Sequence, residues 1–298
     1  MSLLGHLKKL VQEPPPDFAF EISEGGIAWA RPSNPQPAMR AVENGTFVVS
    51  PQHDNVLGPE ALTAAIAEIA ATNGARRRRS AALILPDYCG RIAVLDFDAF
   101  PAAREEQLSL VRFRMKKSVP FDVDAAAIGF FPQPRHGNAK KCDVVVALIA
   151  LEIVARYEAP FRMCGVDTGT VTTSTLAAID LLKGVDDGVM AKLSGRVLTL
   201  SVISGGTLRM VRCVELPELS AAEITGVLLP TFAYMEDEMK SPAKRLLLCG
   251  FGTLGDEIEQ ICSGEMGLGV EPVRSRFGAP AASNAGLLGY LESVGSAL

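Results

Sequence analysis

Residues 18–31 read FAFEISEGGIAWAR. Two apolar runs, Phe18–Ile22 and Ile27–Ala30, flank Ser23-Glu24-Gly25-Gly26. Glycine supplies the positive φ that a tight reversal needs, so the stretch predicts a β-hairpin close to the N-terminus. Such a turn can bring backbone N–H groups up to a phosphate. Magnesium-dependent phosphate chemistry also needs a carboxylate beside the turn, and the aspartate expected there is absent. Glu21 is the nearest substitute, one methylene longer. The hairpin is a nucleotide site, the remains of one, or a plain reversal, and the rest of the chain must decide.

The 298 residues suffice for two domains and a large core. At 48 % hydrophobic the chain is not disordered. A net charge of −5 argues against nucleic acid as the main partner, because a phosphate backbone selects for a basic face. The one dense basic run, Arg76-Arg77-Arg78-Arg79, reads as a solvated turn between a helix and a strand. The six cysteines contain no C-x-x-C pair, and several sit inside apolar runs, as reduced core thiols of a cytosolic protein do. His6, His53 and His136 are scattered, so no zinc site is expected. No run approaches the ~18 apolar residues of a membrane span, and no signal-peptide core of the usual length is present.

Met1–Val11 has Leu3, Leu4, Leu7, Leu10 and Val11 at helical spacing, and Pro14-Pro15-Pro16 ends any helix there. This segment either docks on its own domain or rests on an anionic membrane or a partner. After the hairpin, a further strand pair is expected around Met39–Glu43 and Thr46–Val49, then a helix from Pro59 to Asn73. AALILPD (81–87) and RIAVLDFDAF (91–100) read as buried strands. Asp96 and Asp98 within the second lie on its outer face. Pro101 opens a different unit: a helix over 103–119, acidic first and basic last as the helix dipole favours, then two strands joined by a polar turn at Arg135–Lys141. Glu152–Cys164 reads as helix and connector. The second half repeats the first. Residues 165–182 begin extended and end helical; 196–216 form strand, Ser204-Gly205-Gly206-Thr207 turn, strand. A helix over 219–239 contains Pro230; 244–273 give strand, glycine loop, helix, strand; a last helix covers Ala279–Val294.

Two glycine-turned hairpins, one near the start of each half, followed late by a strand, a Gly-x-Gly and a helix, resemble the actin-like ATPase fold. The segment SLVRFRMKKSVPFDVDAAAIGFFPQ (109–133), with its run Lys116-Lys117-Ser118-Val119-Pro120-Phe121, is similar to PilM-type pilus-assembly proteins, which resemble FtsA and the cytoplasmic domain of GspL. The resemblance covers nearly the whole chain. It implies an α/β architecture of two duplicated actin-like, ribonuclease H-like domains, 17–100 and 164–298, with a small inserted α+β subdomain at 101–163 and the segment 1–16 in front. It further implies a cytoplasmic location at the inner face of the inner membrane, a central cleft that takes ATP or ADP with magnesium, and a partner like PilN, a membrane protein whose short cytoplasmic tail is held.

The residues that would touch a nucleotide are then Ser23, Glu24, Gly25 and Gly26 in the first hairpin, Ser204, Gly205 and Gly206 in the second, and Gly250, Phe251 and Gly252 in the late loop. Phe251 either stacks on a base or packs in the core. Both acid positions are degenerate: Glu21 stands at the first and Ser201 at the second. Asp167-Thr168-Gly169 precedes a helix and closes no hairpin, so it is no phosphate motif. Neither a catalytic residue nor a metal ligand is assigned. Two functions follow. The first is a scaffold that needs no nucleotide and receives the tail of a membrane partner beside the inserted subdomain, along Phe97, Phe100, Leu108, Arg112 and Met115. Self-association and membrane contact through Met1–Val11 would be compatible with it. The alternative is an active actin-like ATPase whose nucleotide state controls partner binding or assembly.

Overall fold

Strand β1 (Phe18–Ser23) is buried along its whole length, so its alternation serves two different faces. Phe18, Phe20 and Ile22 point into one core, while Ala19 packs on the other side, in a core of small residues. Glu21 shares the parity of Ala19 and is itself buried. The computed structural model describes residues 15–71, 78–134, 141–281 and 283–295. The segment Met1–Val11, the first two arginines of the basic run and nearly all of the 135–141 turn lie outside them.

β1 pairs antiparallel with β2 (Gly26–Arg31), which pairs antiparallel with β3 (Asn34–Arg40). On its other side β1 runs parallel to β4 (Arg79–Leu85), and β4 runs parallel to β8 (Val166–Thr173). The sheet order is β3-β2-β1-β4-β8. The second half contains β9 (Gly188–Ser194), β10 (Val197–Ser204), β11 (Thr207–Glu215), β12 (Arg245–Cys249) and β13 (Gly269–Pro272). Its order is β11-β10-β9-β12-β13, with the same antiparallel and parallel relations. β9 therefore occupies in the second half the place that β1 holds in the first.

Helix α1 (Pro59–Ala71) lies on the first sheet through Leu62, Ile66 and Ile69. Between β4 and the rest of that half come β5 (Arg91–Phe97), α2 (Arg104–Met115), β6 (Ala126–Pro134) and β7 (Cys142–Ala150). These strands form a separate antiparallel sheet, β5-β7-β6. Val144, Val146 and Leu148 of β7 face α2 and enclose Val111 and Met115. The chain then returns through α3 (Leu151–Met163), whose Tyr157 and Phe161 are fully buried in the first core. After β8 come α4 (Ser174–Ala178) and a short 3₁₀ turn, Ile179–Leu182. In the second half α5 (Ala221–Asp237) runs through Pro230, and with α6 (Leu254–Met266) it covers one face of the sheet. The last helix, α7 (Ala285–Gly295), crosses back to pack on α4 and β1.

Five sequence expectations change. The first half extends past residue 163, because β8 (Val166–Thr173) joins the first sheet beside β4. The third strand is Asn34–Arg40, an edge strand carrying Pro35 and Pro37; proline lacks the N–H of an inner strand but is tolerated at an edge. Residues 46–49 form no strand and contribute one bridge, Phe47 to Val56. The insertion begins before Pro101, because β5 pairs with β7 and with no strand of the first sheet. β9 was not expected at all, because Lys192 interrupts its apolar pattern and the Gly-Gly turn one strand later is the louder signal.

Gly286 and Gly289 let α7 approach α4. A Cβ at Gly289 would lie 2.1 Å from the Ala177 carbonyl oxygen, and one at Gly286 would lie 2.9 Å from the Ser174 Cα. Gly289→Ala is therefore expected to lower stability by about 1–3 kcal/mol, the usual cost of overpacking. Urea unfolding monitored by circular dichroism measures this. Gly264→Ala, on α6 with open space at its Cβ, serves as the control and leaves stability unchanged or slightly raised.

Candidate functional site

The carboxyl ends of β1 and β9 meet where the two halves face each other, and a cluster of buried polar groups fills the junction. Glu21 comes from β1, Asp87 from a 3₁₀ turn at Asp87–Cys89, Ser174 and Thr175 from α4, Lys192 from β9 and Thr199 from β10. All six are less than 5 % exposed. Lys192 Nζ lies 2.9 Å from Asp87 Oδ2 and donates to Ser174 Oγ at 2.8 Å. The Ser174 hydroxyl in turn donates to Glu21 Oε1. Glu21 Oε2 accepts the Leu287 backbone N–H of α7 at 2.7 Å. Asp87 also accepts the Thr175 N–H at 2.7 Å, the Thr175 hydroxyl at 2.6 Å and the Thr199 hydroxyl at 3.2 Å. Both carboxylates are thus engaged on each oxygen.

The charges settle each other. Burial by itself would push Lys192 down, but attraction by Asp87 and Glu21 outweighs it and holds the ammonium above the usual lysine value. Burial raises Glu21, and Lys192 together with the hydrogen bonds from Ser174 and Leu287 offsets only part of that rise. Cys249 on β12 also faces Lys192, and burial lifts its thiol to about 12.

Ser23 and Glu24 line the remaining space beside the cluster, a cavity of about 20 Å³. A single water needs roughly 10–15 Å³ by this measure, so the space takes little more than one. The hairpin tips meet across it: a Cβ at Gly195, in the β9–β10 turn, would lie 2.9 Å from Glu24 Oε2. A magnesium nucleotide does not fit these residues. The acids that would position the metal already hold an ammonium and five hydroxyl or amide donors, and the space beside them holds little more than one water.

The other expected nucleotide contacts lie elsewhere. The Gly205 N–H donates to Asp187 Oδ1 at 3.1 Å, and the Gly206 N–H donates to the Asp186 carbonyl at 2.9 Å. Ser204 Oγ lies 3.2 Å from Ser241 Oγ. This turn joins β10 to β11 and corresponds to the β2–β3 turn of the first half, so the second hairpin was placed one strand too late. The position matching Glu21 is Lys192; Ser201 is a buried residue of β10. Gly250, Phe251 and Gly252 line a second crevice of about 600 Å³ at the ends of β12 and β13. Phe251 packs in the second core. Gly25 and Gly26 make the first turn, where a Cβ at Gly26 would strike the Arg40 carbonyl oxygen at 2.4 Å. Among the described residues no group of histidine, cysteine and acidic side chains could hold a metal ion.

A third feature lies between the inserted sheet and the first half. Ala127, Gly129 and Phe131 of β6, Val145 and Ala147 of β7, and Val171 of β8 line an apolar groove of about 600 Å³. β6 and β8 each close one side of their sheets, so two strand edges border the groove. None of the five residues expected to hold a partner lines it. Phe97 of β5 and Met115 of α2 are buried in the core between the inserted sheet and α2, and Phe100 packs against them. Arg112 pairs with Asp124 at 3.9 Å, and Leu108 is half-buried on α2. Strand alternation explains the error: the sheet's other face, set by the odd-numbered residues of β6 and β7, is the one that faces the groove. Asp96 and Asp98 lie outside, paired with Arg114 at 3.4 Å and Lys141 at 2.8 Å, as expected.

Lys192 gives the cluster a pH signature. Its proton is held more tightly in the folded state than in the unfolded chain, so its contribution is fully present below the unfolded value near 10.5. That contribution disappears as the pH rises through the higher folded value. Urea unfolding at increasing pH above 10.5 is expected to show a loss of stability in the wild type that Lys192→Met lacks. Equal slopes for the two proteins would refute the assignment.

No protein-family model and no curated protein sequence matches the chain. Solved structures do. A structure described as the PilM-PilN type IV pilus biogenesis complex contains a chain that aligns with a TM-score of 0.74 at 17 % identity, over 94 % of this chain and 99 % of that one. A Bacteroides thetaiotaomicron protein of actin-like ATPase fold and unknown function aligns at 0.53 and 11 % identity, over 91 % of this chain and 94 % of that one. The cytoplasmic domain of EpsL, an inner-membrane component of the Vibrio cholerae type II secretion system, gives 0.47 and 16 % over 78 % and 80 %. With its duplicated sheet order and its three-stranded insertion, the chain has the actin-like fold.

Proposed function

We propose that this chain is a scaffold of a type IV pilus or related secretion platform, and that it holds an extended tail segment of a PilN-like membrane protein in the groove between β6 and β8. The observation that carries the reading is the groove itself. An extended peptide can satisfy its backbone on a strand edge while its alternate side chains enter an apolar trough. The edge formed by Ala127–Gln133 matches about seven residues of such a peptide. Gly129 has open space where its Cβ would be, and Phe131 is largely exposed, so room and apolar surface coincide. Thr173, at the groove's floor, is buried with its hydroxyl lacking a hydrogen-bond partner within the described residues. The likeness to a PilM chain solved with PilN supports the choice of partner class. Among the described residues no helix is long and apolar enough to cross a membrane. Attachment would then come through the bound tail, with Met1–Val11 as a second, weaker contact at the inner face of the membrane.

Calorimetry with a synthetic PilN-like cytoplasmic tail peptide tests this. Gly129→Glu and Ala147→Glu place a charge in the trough and are expected to weaken binding by about tenfold or more, because an unpaired charge is desolvated there. Phe113→Ala removes an exposed ring from the outer side of α2 and leaves binding unchanged. Binding that ignores both groove variants would overturn the reading.

A further inference from the structure

We infer that Lys192 is a resident counter-ion: a cation built into the second half that neutralises the cleft acids of the first and holds the cleft closed without nucleotide. The inference is independent of what binds the groove.

It starts from the duplication. β1 and β9 are equivalent central strands. Glu21 stands two residues before Ser23 at the end of β1, and Lys192 stands two residues before Ser194 at the end of β9. The two halves thus present opposite charges at matching positions. Two acids at these positions would repel and need a cation from solution, such as magnesium with its nucleotide. An acid and an ammonium need none. The ammonium reaches Asp87 directly and Glu21 through the Ser174 hydroxyl, so a single side chain from β9 engages three residues of the first half.

The groups facing Lys192 come from every element around it: Glu21 from β1, Asp87 from its 3₁₀ turn, Ser174 from α4 and Cys249 from β12. Thr199 from β10 holds Asp87 from the second half. Cys89 and Cys213 lie near Asp87, and burial keeps both thiols protonated. Among the described residues Lys192 is the cation paired with Asp87, while Arg91 acts on the neighbouring Cys213. Two further contacts close the halves from outside the cleft. The Gln133 side chain donates to the Leu208 carbonyl at 2.9 Å and accepts the Leu208 N–H at 3.0 Å, imitating a strand on the edge of β11. Arg209 of β11 pairs with Asp143 of β7 at 2.9 Å. The insertion therefore bridges to the second half, beside the cluster that joins the halves at the centre.

The test is hydrogen exchange on the full chain, read at the β1–β2 and β9–β10 turns. In the wild type a large excess of Mg-ATP or Mg-ADP is expected to leave the exchange of both turns unchanged. Lys192→Met leaves two buried carboxylates without a cation and should speed that exchange by about a hundredfold or more. The acceleration should shrink toward lower pH, where Glu21, pushed up by burial, takes up a proton, in comparison with the wild type at the same pH. The triple variant Glu21→Gln, Asp87→Asn, Lys192→Met removes all three charges and should restore slow exchange. If Lys192→Met fails to fold, a folded triple variant supports the inference, and a triple variant that also fails to fold overturns it. Protection of the wild-type turns by Mg-ATP, or Lys192→Met turns that exchange no faster than wild type, would likewise overturn it.

Discussion

A lysine ammonium buried between the two halves is the constraint on which the rest of this molecule depends. Taking a charge out of water costs several kcal/mol unless it is paired and hydrogen-bonded. Lys192 is both, through Asp87 and Ser174. Meeting that need fixes other elements in turn. Asp87 must reach Lys192 from its 3₁₀ turn while its oxygens also accept from Thr175 and Thr199, which sets the start of α4 and the register of β10. Glu21 must accept from Leu287, which docks α7 from the end of the chain onto β1. Gly286 and Gly289 permit that docking by letting the two helices touch backbone to backbone. One cluster thus joins six elements drawn from both halves.

On the inference drawn above, this cluster makes the cleft between the halves a fixed joint. Here it is filled, its hairpin tips touch at Glu24 and Gly195, and the insertion braces β11 from the side. The groove proposed for partner binding lies apart from the cleft, on the far face of the inserted sheet from α2. Rigidity suits such a groove. An adaptor that holds one extended segment between two strand edges gains affinity when those edges do not have to be ordered at binding.

The architecture was legible in the sequence because it rests on patterns of period two. The first hairpin is legible in Phe18–Ile22, Gly25-Gly26 and Ile27–Ala30; the glycine turns of the second half signal a repeat but set its register one strand late, because β9 is turned by Gly195-Arg196 and not by Gly205-Gly206. The site was much less legible. Lys192 lay in full view within Gly188–Ser194, a single charge in an otherwise apolar strand, which is a signal of a buried ion pair. The Gly205-Gly206 turn is a louder signal, because it resembles the first hairpin more closely than the Gly195-Arg196 turn after β9 does. Asp87, Ser174 and Thr175 carry no local pattern; they are brought together from residues 88 positions apart by the parallel pairing of β4 with β8. The groove escaped for a different reason. Alternation fixes which residues of β6 and β7 share a face, but which face α2 covers is decided by packing, and Phe97 lies under the helix against its own Met115.

The central claim concerns one side chain, and one spectrum addresses it. With lysine nitrogens selectively labelled, the Lys192 ammonium should appear at neutral pH as a separate, slowly exchanging NH3+ resonance, absent from Lys192→Met and unmoved by Mg-ATP. Buried ammonium protons held by Asp87 and Ser174 exchange slowly, whereas those of exposed lysines are lost to water. A spectrum without such a resonance, or one in which Mg-ATP shifts or removes it, would show that the cleft is not closed by this residue and would contradict the account.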